Sequence, residues 1–270
     1  SAGDTTVNLS ELTVSSLSEK GSRYRIAAQP FTAMFFDVKK GQAGFTEDIS
    51  GAKLAAKLGK DNEMGFNFYQ SDESKTDSSA VRPAEKKRIA SISGAAKLDA
   101  VSFDTEYALG EIDTGNGYNS GSAWWMNSKF RTERFYADGE YIDAGQNYPG
   151  RRKDTRGHRA YFSYRIFKPE WVWVYNHKII DNPEKDISRD TNENNRTEFG
   201  TSFNTKKIPF FSVSYQTNNS ESERQTALSN TKENAIIFRS NKTFDNITAS
   251  IDSKWSKTKD GELIIDTVLL

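Results

Sequence analysis

Charged side chains recur at every second position in several segments, and these residues have the types and spacing that could do chemistry. Asp104 and Glu106 alternate with less polar side chains in one segment, and Arg159 and Arg165 do so in another. Successive side chains of a strand point to opposite faces, so such charges share one face of a sheet. Acids on some strands and bases on others can order water and screen solutes by charge and size. The predicted charged face consists of Arg23, Arg25, Lys53, Lys57, Asp104, Glu106, Lys129, Arg131, Asp138, Glu140, Arg159, Arg165, Lys178, Asp252 and Lys254.

The other candidates for chemistry are the histidines and one acidic loop. His158 and His177 are the only two histidines. Both are assigned to the opposite, outward face, and neither has a convincing Ser or Asp partner for catalysis. Residues 181–194 are acidic and rich in Asn and could bind Ca²⁺, but they lack the ordered Asp-x-Asp-x-Asp-Gly spacing of a dedicated site. We therefore predict no catalytic residue, no metal site and no cofactor, and we do not expect an enzyme.

The composition restricts the class of protein. The 270 residues include 37 basic and 37 acidic side chains, so no charge excess points to nucleic acid. Cysteine is absent, which excludes zinc–thiolate sites, iron–sulfur clusters and a catalytic thiol. No run of 18 or more apolar residues is present, which excludes a transmembrane helix. A polar average of 35% hydrophobic residues with 12% aromatics fits a membrane β-barrel, and it also fits a soluble β-protein.

Alternation with a period of two residues runs through nearly the whole sequence and predicts strands. Val101, Phe103 and Tyr107 fall on one face of their segment, and Ile251 and Trp255 fall on one face of another. Each predicted strand therefore has one apolar face and one more polar, often charged face.

Short and long connections alternate between the predicted strands. The short turns are placed at residues 29–30, 59–62, 99–100, 132–133, 169–170, 205–208 and 241–246. The longer polar stretches are residues 15–22, 39–50, 71–86, 113–120, 145–156, 181–194 and 218–231. Counted from Val7, this organisation predicts about 16 strands, or about 14 if the first pair is only a tail, with both termini on the side of the short turns.

The register of three predicted hairpins supports the strand assignment. In each hairpin the more apolar faces of both strands coincide, as they must if one face is buried, whereas a one-residue slip would mix them. The pairs predicted nearest the turns are Leu98 with Val101, Phe130 with Phe135, and Ile166 with Trp173.

Alternating strands, short turns opposite long loops and aromatic residues at strand ends resemble the bacterial outer-membrane porin class. The resemblance is one of pattern along nearly the whole length, and no motif assigns a particular porin family. It implies an all-β fold: a transmembrane antiparallel up-and-down β-barrel of about 14 to 16 strands. Residues 1–270 would form a single barrel domain or part of a larger barrel.

The resemblance also assigns the two faces. The charged face would line a water-filled lumen, since a barrel of about 14 or more strands is too wide for side chains to fill. The apolar face would meet lipid, with aromatic girdles at both interfaces. An alternative is that these aromatics are simply common in strands. The predicted interface aromatics are Trp124, Trp171, Trp173, Trp255, Phe130, Phe135, Tyr141 and Tyr164.

Three functional hypotheses follow. The first is a channel in the outer membrane of Gram-negative bacteria, in contact with the lipid bilayer and lipopolysaccharide, that passes small hydrophilic solutes or ions. Residues 71–86 are then expected to fold inward as a constriction. The second is a sealed or partner-plugged barrel that acts in scaffolding or secretion. The third is a soluble all-β ligand-binding protein. The sequence leaves the solute, the gating and the oligomeric state open.

Overall fold

The structure is a computed structural model that describes residues 2–13, 17–42, 45–75, 84–115, 117–168, 170–184, 190–204, 209–224, 227–244, 247–260 and 263–269. The regular secondary structure of these residues consists of sixteen β-strands. The strands are β1 (Ala2–Val7), β2 (Leu17–Ala28), β3 (Phe31–Gln42), β4 (Phe45–Lys57), β5 (Glu63–Lys75), β6 (Lys86–Leu98), β7 (Val101–Asp113), β8 (Tyr118–Arg131), β9 (Phe135–Ala144), β10 (Thr155–Phe167), β11 (Glu170–Asp181), β12 (Thr191–Phe203), β13 (Phe210–Arg224), β14 (Ala227–Phe244), β15 (Ile247–Asp260) and β16 (Leu263–Leu269). In the part of the chain that the structure describes, no helix is long and apolar enough to cross a membrane.

The strands follow one another in chain order in an antiparallel, up-and-down sheet. This confirms the predicted all-β, up-and-down class. Among the described residues β1 pairs only with β2 and β16 only with β15, so the sheet is not closed. The closed barrel and the single barrel domain therefore stay predictions.

The chain divides into two compact units, which are described separately below. Unit 1 comprises Ser1–Asn127 and Ile142–Thr155, and unit 2 comprises Ser128–Tyr141 and Arg156–Leu270.

The hairpin of β6 and β7 has the predicted register. Leu98 pairs with Val101, and Ile92 pairs with Tyr107. Asp99 has a φ of 48°, in the left-handed region that Asp tolerates in tight turns. The matching of apolar faces was therefore sufficient to predict this register.

The hairpin of β10 and β11 differs from its prediction. The Arg165 guanidinium lies 4.4 Å from the ring centre of Trp171, so these two residues share a face. At the other end of the hairpin, a Cβ at Gly157 would stand 3.1 Å from Cα of Ile179. Both contacts bring odd-numbered residues together, so the predicted pairing of Ile166 with Trp173 is wrong. Part of the predicted turn, residue 169, lies outside the described residues.

Three of the predicted long loops are largely strands. β1 and β2 remain paired up to Val7 and Leu17, within the stretch 15–22. β3 and β4 remain paired up to Gln42 and Phe45, within the stretch 39–50. β13 and β14 remain paired up to Arg224 and Ala227, within the stretch 218–231. Polar residues predominate in the last two stretches, which makes a two-stranded ribbon look like a loop in the sequence. Of the predicted constriction, residues 71–75 continue β5, and residues 76–83 lie outside the described part.

Apolar side chains, most of them large and exposed, stand in continuous rows across one face of each unit. In unit 1 we name two adjacent rows the apolar band. Its members are Tyr24, Phe35, Ala52, Phe68, Ala90 and Leu109 in one row, and Ile26, Ala33, Leu54, Phe66, Ile92 and Tyr107 in the other. In unit 2 we name one row of exposed side chains the aromatic row. Its members are Val174, Phe199, Tyr215, Ile236 and Trp255. β-branched and aromatic residues favour strands, which explains why these rows form a sheet.

Candidate functional site

The charged face predicted from the sequence lies opposite these apolar rows. Lys53, for example, precedes the exposed Leu54 in β4. In β7, Asp104 and Glu106 both lie between the exposed Phe103 and Tyr107 and alternate with their face. The same alternation holds for every residue of the predicted charged face except Lys178. Whether this face lines a lumen stays a prediction.

Lys178 lies on the side of the apolar rows, which corrects its predicted position. It has the same parity in β11 as the exposed Val174, and it pairs with Asn195. Its ammonium contacts the Glu193 carboxylate at 2.6 Å. The error follows from the wrong register of the β10–β11 hairpin.

The interface aromatics divide between the two faces. Trp124, Tyr164 and Trp255 are exposed on the side of the apolar rows. Phe130 and Phe135 also lie there, with ring centres 5.6 Å apart, and Tyr141 has the same parity in β9 as Phe135. Whether these side chains meet lipid stays a prediction.

Trp171 and Trp173 lie on the charged face, contrary to the prediction that they meet lipid. Trp171 stacks with Arg165, and Trp173 is two residues further along β11. His177 follows on the same face, where it pairs with Arg196. His158 keeps its predicted outward position and its Nε2 lies 2.7 Å from Oδ1 of Asn176.

Acids and bases on the charged face of unit 2 contact each other directly. The Arg159 guanidinium lies 3.5 Å from the Asp138 carboxylate and 3.3 Å from that of Glu140. Arg196 and Glu198 are 2.6 Å apart. The pairs of Arg159 are partly exposed and stabilise the fold by little, whereas Glu198 is buried beneath Arg196.

Four ionic side chains on this face of unit 2 were not predicted from the sequence: Arg196, Glu198, Glu233 and Arg239. Lys254 contacts Glu233 at 2.6 Å, and Asp252 lies 3.9 Å from Arg239. Arg196, Glu198, Glu233 and Arg239 stand in strands with polar residues on both faces, so alternation did not mark them. The spacing of two between Arg196 and Glu198 is the one local signal that places both on one face.

A cavity of about 660 Å³ opens on the charged face of unit 2. Two guanidinium groups and four aromatic rings line it. These side chains are Arg131, Tyr136, Tyr161, Arg165, Trp171 and Trp173. The ring centres of Tyr136 and Tyr161 are 5.8 Å apart. Flat rings beside cations can hold an anion or a ring-bearing solute through stacking and charge.

Gly200 makes room for Trp173 in this cavity wall. The two residues pair across β11 and β12, and a Cβ at Gly200 would stand 2.5 Å from Cζ2 of Trp173. We expect Gly200→Val to displace this ring and to lower the free energy of unfolding in detergent by about 1–3 kcal/mol. Tryptophan fluorescence during urea unfolding measures both effects.

Gly41→Val is the matched control for Gly200→Val. A Cβ at Gly41, also within a strand, would meet nothing within 4 Å. It should leave fluorescence and stability close to those of the parent protein. Equal stability losses in the two variants would contradict the assigned packing of Trp173.

In unit 1, residues 8–13 pack on the charged face, and we name them the cover segment. Glu106 is only 2% exposed and holds this segment. Its carboxylate accepts hydrogen bonds from Oγ of Ser10 at 2.5 Å and from the backbone N–H of Leu12 at 3.0 Å. Nζ of Lys53 donates to the carbonyl oxygen of Leu9 at 3.4 Å. The predicted charged face is therefore partly covered by the chain itself.

Residues 145–154 hold the other side of the cover segment. The Tyr148 hydroxyl donates to the Leu12 carbonyl oxygen at 2.8 Å, and the Arg151 N–H donates to the same oxygen at 3.1 Å. The Arg151 guanidinium lies 3.4 Å from the Glu11 carboxylate. Burial, and to a smaller extent the negative charge of Glu106, raises the pKa of Tyr148, so its hydroxyl remains a donor.

An apolar cluster surrounds these hydrogen bonds. Leu9 and Leu12 of the cover segment pack with side chains of the charged face that the alternation pattern did not mark as a core. Buried members of the cluster include Val7, Leu9, Leu12, Phe36, Val38, Ile49, Tyr69, Ile89 and Tyr148. No local pattern in residues 8–13 pointed to this burial, since the partner Glu106 lies 94 positions beyond Leu12.

Neither a metal centre nor a known relative assigns a function. Within the described ranges, no three His, Asp or Glu side chains are grouped so that they could hold a metal ion. Comparison of the chain with known protein families, with curated proteins and with solved structures finds no significant match.

Proposed function

We propose that the chain is a porin-like β-barrel of the bacterial outer membrane, whose charged face lines a passage for small hydrophilic solutes or ions. The observation that carries the proposal is the exposed apolar face. The apolar band of unit 1 crosses six consecutive strands, and the aromatic row of unit 2 crosses five. A sheet in water would leave such continuous apolar surface uncovered, whereas lipid would bury it.

Strand length and strand count support this proposal. β2 to β8 contain 12 to 14 residues each. A tilted strand needs about 9–11 residues to cross the hydrocarbon core. Closure of the sheet would give β1 and β16 the partners that a lipid environment requires. At about 16 strands, outer-membrane barrels leave an aqueous channel.

Detergent extraction and conductance measurements test the proposal. We expect migration on SDS gels that changes on heating, and stepwise conductance in planar bilayers, with a reversal potential in a salt gradient that reports charge selectivity. A chain that folds and stays soluble without detergent would overturn the membrane assignment and leave the soluble ligand-binding protein.

Charge on the apolar band provides a sharper test. Leu54 is 49% exposed and pairs with Phe66. We expect Leu54→Arg to lower the free energy of unfolding in lipid by about 2–4 kcal/mol, the cost of Arg near the bilayer midplane. In a water-exposed sheet the same change would cost almost nothing. Urea titration in lipid vesicles measures the difference.

Ser50→Arg is the matched control for Leu54→Arg. Ser50 lies four residues away on the same face of β4, between Asp37 and Gln70. Its row is polar, so we expect an arginine there to be tolerated. If both variants lose the same stability, or neither loses any, the apolar band does not face lipid.

A sealed barrel is the second candidate, and the cover segment favours it. Its hydrogen bonds to Glu106 and Tyr148 and its apolar packing place chain atoms on the face that a channel would leave open. Planar-bilayer recordings separate the candidates, because a sealed barrel produces no stable conductance steps.

A further inference from the structure

Charged residues border the apolar band of unit 1, and opposite charges are matched there. A row of polar residues crosses β2 to β7. On each strand its member lies four positions from the nearer row of the apolar band. Its members are Lys20, Lys39, Asp48, Asp72, Lys86 and Asp113. Lys39 contacts Asp48 at 3.2 Å, and Lys86 contacts Asp72 at 3.0 Å. Lys20 also pairs with Lys39, and Asp48 with Asp72, but the three lysines and three aspartates of the row balance in charge.

The corresponding row of unit 2 contains lysines but no acid, and we name it the lysine row. Only Lys178 reaches a carboxylate of the neighbouring row, that of Glu193 at 2.6 Å. The lysine row lies four residues from the aromatic row along each strand. Its members are Lys178, Asn195, Asn219, Lys232 and Lys259. Lys232 and Lys259 pair directly across β14 and β15, and like charges in such a pair destabilise a sheet.

The two paired lysines contact no carboxylate in the part of the chain that the structure describes. Among the described residues, neither Lys232 nor Lys259 makes an ion pair. The nearby carboxylate of Glu221 accepts instead from Nδ2 of Asn219 at 3.3 Å and from Nδ2 of Asn230 at 3.0 Å. The pair is therefore a site of positive charge without a direct carboxylate contact in the described part of the chain.

A cavity of about 590 Å³ lies over this pair. Amide, hydroxyl and ammonium groups that can donate hydrogen bonds line it, together with the apolar parts of the same side chains. The lining side chains include Asn195, Thr217, Asn219, Asn230, Lys232 and Lys259. Clustered ammonium and amide donors match the several acceptor oxygens of a phosphate group.

We infer that this cavity binds the phosphate of an anionic lipid headgroup. The lipid, rather than free phosphate, follows from the neighbouring surface. Ile236 and Trp255 of the aromatic row lie on the same strands and the same face as Lys232 and Lys259. An acyl chain can follow that apolar surface while the phosphate stays between the lysines. This inference rests on the proposed membrane location.

Lipid retention by the detergent-purified chain tests the inference. The probe is lipid A, the phosphorylated glucosamine lipid, and native mass spectrometry counts the molecules retained. We expect Lys232→Gln combined with Lys259→Gln to weaken retention on the order of twentyfold, since each basic residue at an anionic lipid surface contributes roughly fivefold. Lys39→Gln combined with Lys86→Gln removes the same charge from the paired row and should retain lipid A as the parent does.

Additional measurements separate the other outcomes. Equal retention by both double variants would overturn the inference. Inorganic phosphate that displaces lipid A and binds alone with the same dependence on the lysines would overturn the lipid assignment in favour of a phosphate site. If the double variant does not fold, the parent protein can be tested with lipid A that carries brominated acyl chains. Quenching of the Trp255 fluorescence would support the site, and its absence would refute it. Failure of the parent chain to enter bilayers while lipid A still binds would refute the proposed function alone.

Discussion

Replacing Glu106 by alanine is expected to release the cover segment and to raise single-channel conductance. The carboxylate holds Ser10 and Leu12 through two hydrogen bonds, at 2.5 and 3.0 Å. Hydrogen bonds to charged groups contribute about 1.5–3 kcal/mol each, so their loss should increase local opening roughly a hundredfold. Hydrogen exchange at the Leu12 amide measures the opening, and planar-bilayer recording measures the passage.

The global stability of the Glu106→Ala variant should change much less than the local opening. Glu106 is buried and makes no ion pair among the described residues. Its removal therefore also removes the cost of keeping an unpaired carboxylate out of water. If Glu106 mainly holds the cover segment, its loss should increase local opening strongly and change the global free energy of unfolding only slightly. Loss of a core residue would lower the global free energy of unfolding.

Two further variants test whether the effect depends on the hydrogen bonds of Glu106 to the cover segment. Asp104→Ala changes the same face of β7 two residues away, at a side chain that makes no hydrogen bond to the cover segment in the described part of the chain. It should leave exchange at Leu12 unaltered. Glu106→Gln keeps one acceptor oxygen and should give an intermediate rate. Unchanged exchange in Glu106→Ala would show that Tyr148 and the apolar cluster hold the segment without the carboxylate.

The outcome at Glu106 also decides between the two proposed functions. A channel partly closed by the cover segment would conduct in the parent protein and conduct more in the variant. A sealed barrel would conduct only in the variant, or not at all if the apolar cluster still blocks the passage.

The sequence predicts registers well where the two faces of a strand differ. In the halves of β6 and β7 nearest the turn the large apolar residues occupy one face, and the register that brings Ile92 opposite Tyr107 was correct. β11 has large apolar residues on both faces, with Trp171 and Trp173 on one and Val172 and Val174 on the other. Matching of apolar faces cannot distinguish registers there, which is why Lys178, His177 and both tryptophans changed face.

The sequence predicts long-range contacts poorly because no local period encodes them. Alternation placed Glu106 on the charged face, but it could not reveal that Leu12 would bury this carboxylate from 94 positions away. The cover segment is short and unpaired, so neither a strand nor a helix period marks it. The charged face was therefore predictable from the sequence, whereas the cover segment is revealed only by tertiary packing.

Reversing Arg159 and Arg165 to glutamate is expected to shift ion selectivity toward cations. Arg159 lies within 3.5 Å of both Asp138 and Glu140, so a glutamate there would join two existing carboxylates. Arg165 stands over Trp171 in the wall of the cavity, and its reversal removes one of two guanidinium groups. In a tenfold KCl gradient we expect the reversal potential to move by roughly 10 mV or more toward the cation limit of about 59 mV.

The control for this variant combines Lys39→Glu with Arg88→Glu. It changes the net charge by the same amount, but on the side of the apolar rows. Lys39 pairs with Asp48 and Arg88 with Glu111, both at the border of the apolar band. If the charged face lines the passage, this control should leave the reversal potential near that of the parent, since exposed charges more than about 8–10 Å away are screened at physiological salt. A reversal potential that does not move in the Arg159 and Arg165 variant, or moves equally in both, would show that the charged face does not line the passage.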